Sequence, residues 1–243
     1  MDHTDQPNQR SRSHVGPAVP VALAHIVRAG VRANREVPGA VALGGTVCAM
    51  YANHRLSIDI DFVVSDLRDR FEKVREHMLG VPGWAEANAN PPVLLLGSID
   101  GVDVGFRQLR RTMPLDTLTL QTPDGPLTIP TLHELIRTKA FLLYQRTYTR
   151  DHVDFAMLSL LLPDDEVVTT LADLDKKFAW DKQPSVLLGT LKALIRAAPV
   201  DLETHGFETF RWLSPGLTSW NAVHDRCQAI GRLLSVHLGA QLP

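Results

Sequence analysis

A glycine pair set at a fixed distance before an alternating acidic strand constrains this chain most. Leu43-Gly44-Gly45-Thr46 is followed, after twelve intervening residues, by Asp59-Ile60-Asp61-Phe62. Strand side chains alternate between faces, so Ile58, Ile60 and Phe62 are expected on one side and Ser57, Asp59 and Asp61 on the other. That makes residues 57–64 a strand with an apolar face for a core and an acidic face for something else. Residues 40–43 read as a short buried strand entering the glycine bend. Thr46 is placed to cap a helix over about 47–53.

The acidic face has a chemical logic. Carboxylates at i and i+2 of a strand stand roughly 6–7 Å apart at the backbone and can converge on one cation. Like charges brought to about 4 Å repel by several kcal/mol at an effective dielectric near 20, and a hard divalent cation removes that cost. Mg²⁺ prefers carboxylates together with substrate phosphates. A Gly-Gly bend entering a helix lets backbone amides approach a phosphate, and the helix N-terminus favours negative charge. Thr46 offers a hydroxyl donor beside it. Val102-Asp103-Val104 sets another acid among apolar residues, and on a neighbouring strand Asp103 becomes a third carboxylate on the same face. Three carboxylates can hold metal and activate an attacking hydroxyl. Alone, Gly-Gly is a turn and Asp-x-Asp a solvated strand face. Their combination at this spacing favours a nucleoside triphosphate site.

The rest of the chain supplies an N-terminal mixed half and a C-terminal helical half, an α+β class with a mixed sheet flanked by helices and then a helical domain. Residues 1–18 read as a flexible arm, 19–130 as the core and 131–243 as helical. Helices are expected over 21–34, 67–79, 131–144, 151–162, 166–178, 185–198, 208–212 and 220–238. Strands are expected over 93–97 and 99–106, and a hairpin over 118–129 turning at Pro123-Asp124-Gly125. Thr131 and Glu134 fit a capping box. With 44% apolar residues in 243, a sizeable core is expected. No apolar run reaches the roughly 20 residues of a membrane span, and the start lacks a secretory pattern. Cys48 and Cys227 are the two cysteines, so a disulfide scaffold is excluded and a reducing cytoplasmic setting is expected. Cys48, Trp180, Trp212 and Trp220 read as packing residues. The ten histidines show no metal spacing. Net charge is −2. Even so, Arg107, Arg110, Arg111, Arg137, Lys139, Arg146 and Arg150 face only Asp116, Asp124 and Glu134 over that stretch, an excess that can guide a polyanion.

Taken together, these residues resemble the DNA polymerase β-like nucleotidyltransferase superfamily. More narrowly, Gly44-Gly45-Thr46 with His54-Arg55-Leu56-Ser57-Ile58-Asp59-Ile60-Asp61-Phe62, then Lys139, Arg146 and Arg150-Asp151-His152-Val153-Asp154, is similar to the AbiEii toxins of type IV toxin–antitoxin and phage-abortive systems. Gly-Gly-Thr stands where the wider superfamily often has Gly-Ser. The resemblance implies that Gly44, Gly45 and Thr46 hold the triphosphate and that Asp59 and Asp61, with Asp103, ligate Mg²⁺. It implies that Arg55 and Ser57 shape the site and that Lys139 contacts the triphosphate. Asp151 or Asp154 completes the cleft from the helical half, by orienting Lys139 or Arg150. It also implies NTP as donor, transfer of NMP to the tRNA 3′ end, and a cognate winged-helix antitoxin without a stable complex. The competing expectations are transfer to a small-molecule or protein hydroxyl, and a non-catalytic binding module.

Overall fold

A computed structural model of the chain describes residues 16–111, 113–178, 184–214, 216, 217 and 219–239. Most of the N-terminal arm, and Trp180, lie outside the described residues. In chain order the core comprises α1 (Ala24–Glu36), β1 (Val41–Leu43), α2 (Gly44–Ala52), β2 (Asp59–Val64) and α3 (Leu67–Leu79). It continues through β3 (Trp84–Asn90), β4 (Leu94–Ile99), β5 (Val102–Gln108), β6 (Thr117–Thr122) and β7 (Gly125–Pro130). The helical part comprises α4 (Leu132–Gln145), α5 (Thr149–Ser159), α6 (Asp164–Ala172), α7 (Leu174–Lys177), α8 (Val186–Arg196) and α9 (Trp220–His237).

The main sheet is mixed, in the order β1-β2-β5-β4-β3, and only the β2–β5 pair is parallel. Its apolar face buries Ile60, Phe62, Val104, Phe106 and Leu95 under α1 and α3. Phe62 and Phe106, opposite each other in register, stack at 5.4 Å. The alternation read in β2 therefore holds from Asp59 onward. Ile58 departs from it: the side chain is 71% exposed. Pairing with the sheet starts only at Asp59. The residues before it pair elsewhere, with Arg55 bridging Trp212, the Leu56 amide donating to the Arg211 carbonyl and the Leu213 amide to that of His54. That same pairing keeps residues 211–213 extended. It explains why the helix expected over 208–212 shrinks to one 3₁₀ turn at Phe207–Thr209.

Other boundaries moved for local reasons. The β4–β5 turn is Asp100-Gly101, with φ of 52° and 79°, rather than the region of Gly97. Two successive positive-φ residues match the strand twist in a two-residue hairpin. Gly97 is inside the strand, where a Cβ would strike the Trp84 ring at 2.4 Å. The helix expected over 166–178 breaks at Asp173, whose carboxylate accepts from Arg137. The β6–β7 hairpin forms with its expected turn, as a separate two-stranded sheet against β1 and α1. Thr131 caps α4 by accepting from the Glu134 amide at 3.3 Å. The reciprocal half of the box is absent, because the Thr131 amide bonds Asp116 while the buried Glu134 carboxylate pairs with Arg111 at 2.8 Å. Cys48 and Cys227 are free and buried. Trp212 and Trp220 pack against the core. No helix among the described residues is long and apolar enough to cross a membrane.

Candidate functional site

The site begins at the end of β1. Leu43 is extended, Gly44 takes φ of 87°, and α2 starts there with no side-chain cap. A side chain at Gly44 would be strained by that dihedral. The uncapped first turn leaves amide donors available to an anion. Gly45 solves a crowding problem: a Cβ would come 2.7 Å from Arg55 Nη2 and 2.8 Å from Ser57 Oγ. Thr46 does not cap the helix. It is fully buried, and its hydroxyl donates to the Asp59 carbonyl at 2.6 Å. It thus staples the start of α2 to the start of β2, and its donor is used inside the protein.

Asp59 and Asp61 stand on the face of β2 opposite the core, both half-buried. Ser57 Oγ donates to Asp59 Oδ1 at 2.8 Å. Arg107 Nε donates to Asp61 Oδ1 at a long 3.4 Å. Burial pushes the Asp61 carboxyl up; Arg107 opposes that shift, and the Asp59 charge adds to it. Gly105, in register with Asp61 on β5, makes room for this carboxylate, since a Cβ there would lie 2.5 Å from Asp61 Oδ1. Gly105→Ala is therefore expected to swing Asp61 out of place, lowering transfer at least about tenfold at a stability cost of about 1–2 kcal/mol. Parallel activity and thermal-melt measurements check this.

Asp103 lies directly opposite Asp59 in the β2–β5 register and is exposed. The strand neighbourhood inferred from sequence is thus present. The three carboxylates do not, however, form a metal-holding cluster: among the described residues no group of three or more His, Cys, Asp or Glu does. The donor set that fits a hard cation here is the pair Asp59 and Asp61. These are two oxygen donors on one open face, with the Asp61 carboxylate disfavoured first by burial, against the opposing charge of Arg107, and then by the Asp59 charge.

Behind this face is a buried ionic cluster. Asp154 is fully buried and receives Arg55 Nε at 2.7 Å, Arg55 Nη2 at 2.9 Å, His54 Nε2 at 2.8 Å and Lys139 Nζ at 2.7 Å. Asp151, also fully buried, receives Lys139 Nζ at 3.1 Å and a bidentate Arg146 at 2.7 and 3.0 Å. Lys139, expected against a triphosphate, is 2% exposed, with its ammonium between these two acids. Asp151 and Asp154 do orient Lys139; Arg150 is not among their partners. Burial alone would raise Asp154, yet Arg55, Lys139 and the bond from His54 hold it well below the usual carboxylate range. Burial is likewise outweighed at Asp151, by Lys139 and Arg146, and its carboxyl is lowered.

His54 lies in the stretch that carries the family resemblance, yet among ten scattered histidines nothing in its sequence context assigned it a role. Its Nε2 bonds Asp154 while Nδ1 is buried without a partner, which is the pattern of a neutral ring. His152 bonds the Tyr148 carbonyl through Nδ1 and leaves Nε2 buried and unpartnered. Burial lowers the pKa of each imidazole, against the opposing effect of those bonds. The signs agree. A lowered imidazole gives stability that is complete above about pH 6.5 and lost as pH falls through the folded value. A lowered carboxyl gives stability complete above about pH 4 and lost below it. The melting midpoint is expected to be level between about pH 7 and 8, to fall as pH drops from about 6.5, and to fall again above about pH 9, where burial holds protons on Cys48, Cys227 and Tyr51 that the unfolded chain has lost. Two extra protons on the unfolded chain set a slope of at most about 2.7 kcal/mol per pH unit just below pH 6.5. A steeper loss is expected below pH 4. Melts across that range check all three.

The basic stretch read from sequence is largely consumed inside the protein. Lys139 serves Asp151 and Asp154, Arg111 serves Glu134, and Arg137 serves Asp173 and Asp116. Arg107, Arg110 and Arg150 remain exposed. Arg146 and Arg150 both interact electrostatically with Asp61, and their guanidinium carbons lie 5.4 and 5.6 Å from the Tyr148 ring centre. Asp61 is therefore within electrostatic reach of two arginines at the α4–α5 corner. A cavity of about 150 Å³ lined by Val41, Val63 and Leu115 does not include Asp59 or Asp61 in its lining.

This geometry can be set beside known proteins. MenT4, a nucleotidyltransferase toxin from Mycobacterium tuberculosis H37Rv, matches 87% of this chain and 82% of its own at 14% identity and a TM-score of 0.55, a likeness of fold. A candidate nucleotidyltransferase from H. pylori (16% identity, 88% of this chain, 95% of that one) superposes at 0.44. An antigenic nucleotidyltransferase-like protein from Paracoccidioides brasiliensis (16% identity, 73% and 95%) superposes at 0.43. These two scores are too low to carry an argument. No curated protein matches the chain. The family described as "Nucleotidyl transferase AbiEii toxin, Type IV TA system" matches residues 43–211, which take in the glycine bend, the acids of β2, β5 and the buried ionic cluster. The chain belongs to the AbiEii nucleotidyltransferase toxin family.

Proposed function

We propose that the chain moves NMP from an NTP to the 3′ hydroxyl of a tRNA and thereby halts translation and growth. One observation carries this reading. Asp59 and Asp61 share the outer face of β2, a Cβ at Gly44 in the uncapped start of α2 would lie 3.8 Å from Asp61 Oδ2, and Arg146 and Arg150 act electrostatically on Asp61, so carboxylates, amide donors and guanidinium groups are gathered at Asp61. Such a grouping suits a triphosphate with its cation. Amides at Gly44 and Gly45 receive phosphate oxygens. Arg146 and Arg150 balance the remaining negative charge. Asp59, held by Ser57, and Asp61, seated over Gly105, are the residues that would hold Mg²⁺. Bound there, Mg²⁺ supplies neutralisation of the triphosphate and of the departing pyrophosphate.

The attacking hydroxyl forms a bond to the α-phosphorus as the bond to pyrophosphate breaks, and its proton passes to a carboxylate. Asp103, exposed and in register with Asp59, would accept it. Catalysis of this kind is mostly positioning and charge stabilisation. Arg55, Lys139, Asp151 and Asp154 then act from behind, bracing the loop that carries Ser57 and Asp59 against α4 and α5. Residues 131–243 supply that bracing and close the cleft. A winged-helix antitoxin would oppose the toxin without a stable complex. The test is incubation with each radiolabelled NTP, Mg²⁺ and total tRNA. Label on tRNA is expected. Label confined to protein or small molecules, or no label with any divalent metal, rejects the reading.

A further inference from the structure

The second face of the main sheet is bare beyond the acids. Residues opposite one another in register share a face, so Asp59 and Asp61 continue through Asp103 and Gly105 of β5 into Ser98 and Leu96 of β4, and from there into Ala85 and Asn88 of β3. One row further on, Arg107, Leu94 and Asn90 align in the same way. Apart from Gly105, which Asp61 and Leu96 cover, every residue beyond Asp61 in these rows is exposed or half-exposed, and α1 and α3 pack on the opposite face. Glu86 belongs to that opposite face: it is in register with Gly97 and takes a bidentate contact from Arg75 of α3. The bare face therefore holds amides, a hydroxyl and short aliphatic side chains, and Arg107 is its one charge beyond the acids.

We infer that this face, from β3 across β4 to β5, is the bed on which the single-stranded 3′ end of an RNA acceptor lies as it reaches Asp59 and Asp61. The inference rests on the nucleotidyl-transfer reading above and adds where the acceptor binds. Three arguments select the occupant. The face is continuous with the acids, so a strand lying on it delivers its last hydroxyl beside Asp103. From β2 to β3 the path spans about 14 Å at ordinary strand spacing, the scale of a short single strand rather than of one small molecule. Its charge does not oppose a polyanion beyond the site: the acids Asp59, Asp61 and Asp103 stand at the reacting end, no carboxylate interrupts the face on β3 or β4, and Arg107, which also donates to Asp61, stands at the β5 edge. Open sheet faces commonly receive unpaired bases, and Asn and Ser side chains satisfy base edges and 2′-hydroxyls while Leu94 and Leu96 offer apolar contact.

The test uses the full chain and a short fluorescent RNA ending in 3′-deoxynucleotide, which binds but cannot react. Asn88→Glu/Asn90→Glu places two acids on the far edge of the bed, and Asn88→Lys/Asn90→Lys places two cations there. Val236→Glu, on a 77% exposed position of α9, is the control. Expected anisotropy results are affinity at least about tenfold weaker for the Glu pair, tighter for the Lys pair and within twofold of wild type for the control. Nucleotide affinity is expected to be unchanged in all of them. Equal RNA affinity for the Glu pair, the Lys pair and wild type overturns the inference. If wild type still labels RNA in that case, the nucleotidyl-transfer reading survives and only the bed is wrong. If wild type neither binds nor labels RNA, both fall.

Discussion

Asp59→Asn is expected to lower transfer on the order of a thousandfold while leaving the melting midpoint level or slightly higher. The two effects have separate origins. Asn keeps an oxygen where Asp59 Oδ1 accepts from Ser57 Oγ at 2.8 Å, so the local hydrogen bond survives. It removes one of two negative charges beside each other on β2, and on a half-exposed face that relief is worth about 1 kcal/mol or less. On the proposed reading, what disappears is a charged oxygen ligand for a cation, whose neutralisation of transferring phosphates accounts for several kcal/mol of barrier. Loss of activity together with loss of stability would mean that Asp59 is a structural acid. Wild-type turnover by the variant would remove it from the site altogether. A growth assay on induced expression gives an independent readout, since the substitution is expected to relieve arrest.

The parts of this protein that were legible in sequence are those governed by short-range rules. Period-two alternation located β2, helical spacing located α3 at Leu67–Leu79, and Pro123-Asp124-Gly125 located the hairpin turn. The acids of β2 were legible for the same reason, because a strand fixes which side chains share a face. Asp103 was legible as a candidate only through its apolar flanks; its register with Asp59 is a long-range fact. Other features escaped because their cause lies far away in the chain. Ile58 is exposed because residues 54–56 pair with 211–213. Thr46 bonds a carbonyl thirteen residues on instead of its own helix. Lys139 turns inward because two acids on α5 outbid solvent for its ammonium. Gly105 carried a readable hint: a glycine inside an apolar strand marks close approach, here by Asp61.

Asp154→Ala is the substitution with the largest expected effect on the fold. Its carboxylate is the common acceptor for Arg55, Lys139 and His54, contributed by the α2–β2 loop and by α4, and it is fully buried. Removing it strands the buried Arg55 and leaves Lys139 with Asp151 alone, and breaking a buried ion pair from one side costs about 3–5 kcal/mol. For a chain of this size that corresponds to a midpoint lower by about 10 °C. Activity is expected to fall as well, because Arg55 packs against Gly45 and its loop leads into Ser57 and Asp59. An unchanged midpoint would mean that water fills the cluster in solution. Lys139→Ala separates bracing from phosphate contact. It leaves Asp154 with Arg55 and Asp151 with Arg146, so a smaller destabilisation is expected, and nucleotide affinity should track stability. Calorimetric titration at a temperature where both variants are folded decides the point. A selective loss of NTP affinity in Lys139→Ala, with the midpoint intact, would place the ammonium on the triphosphate rather than behind it.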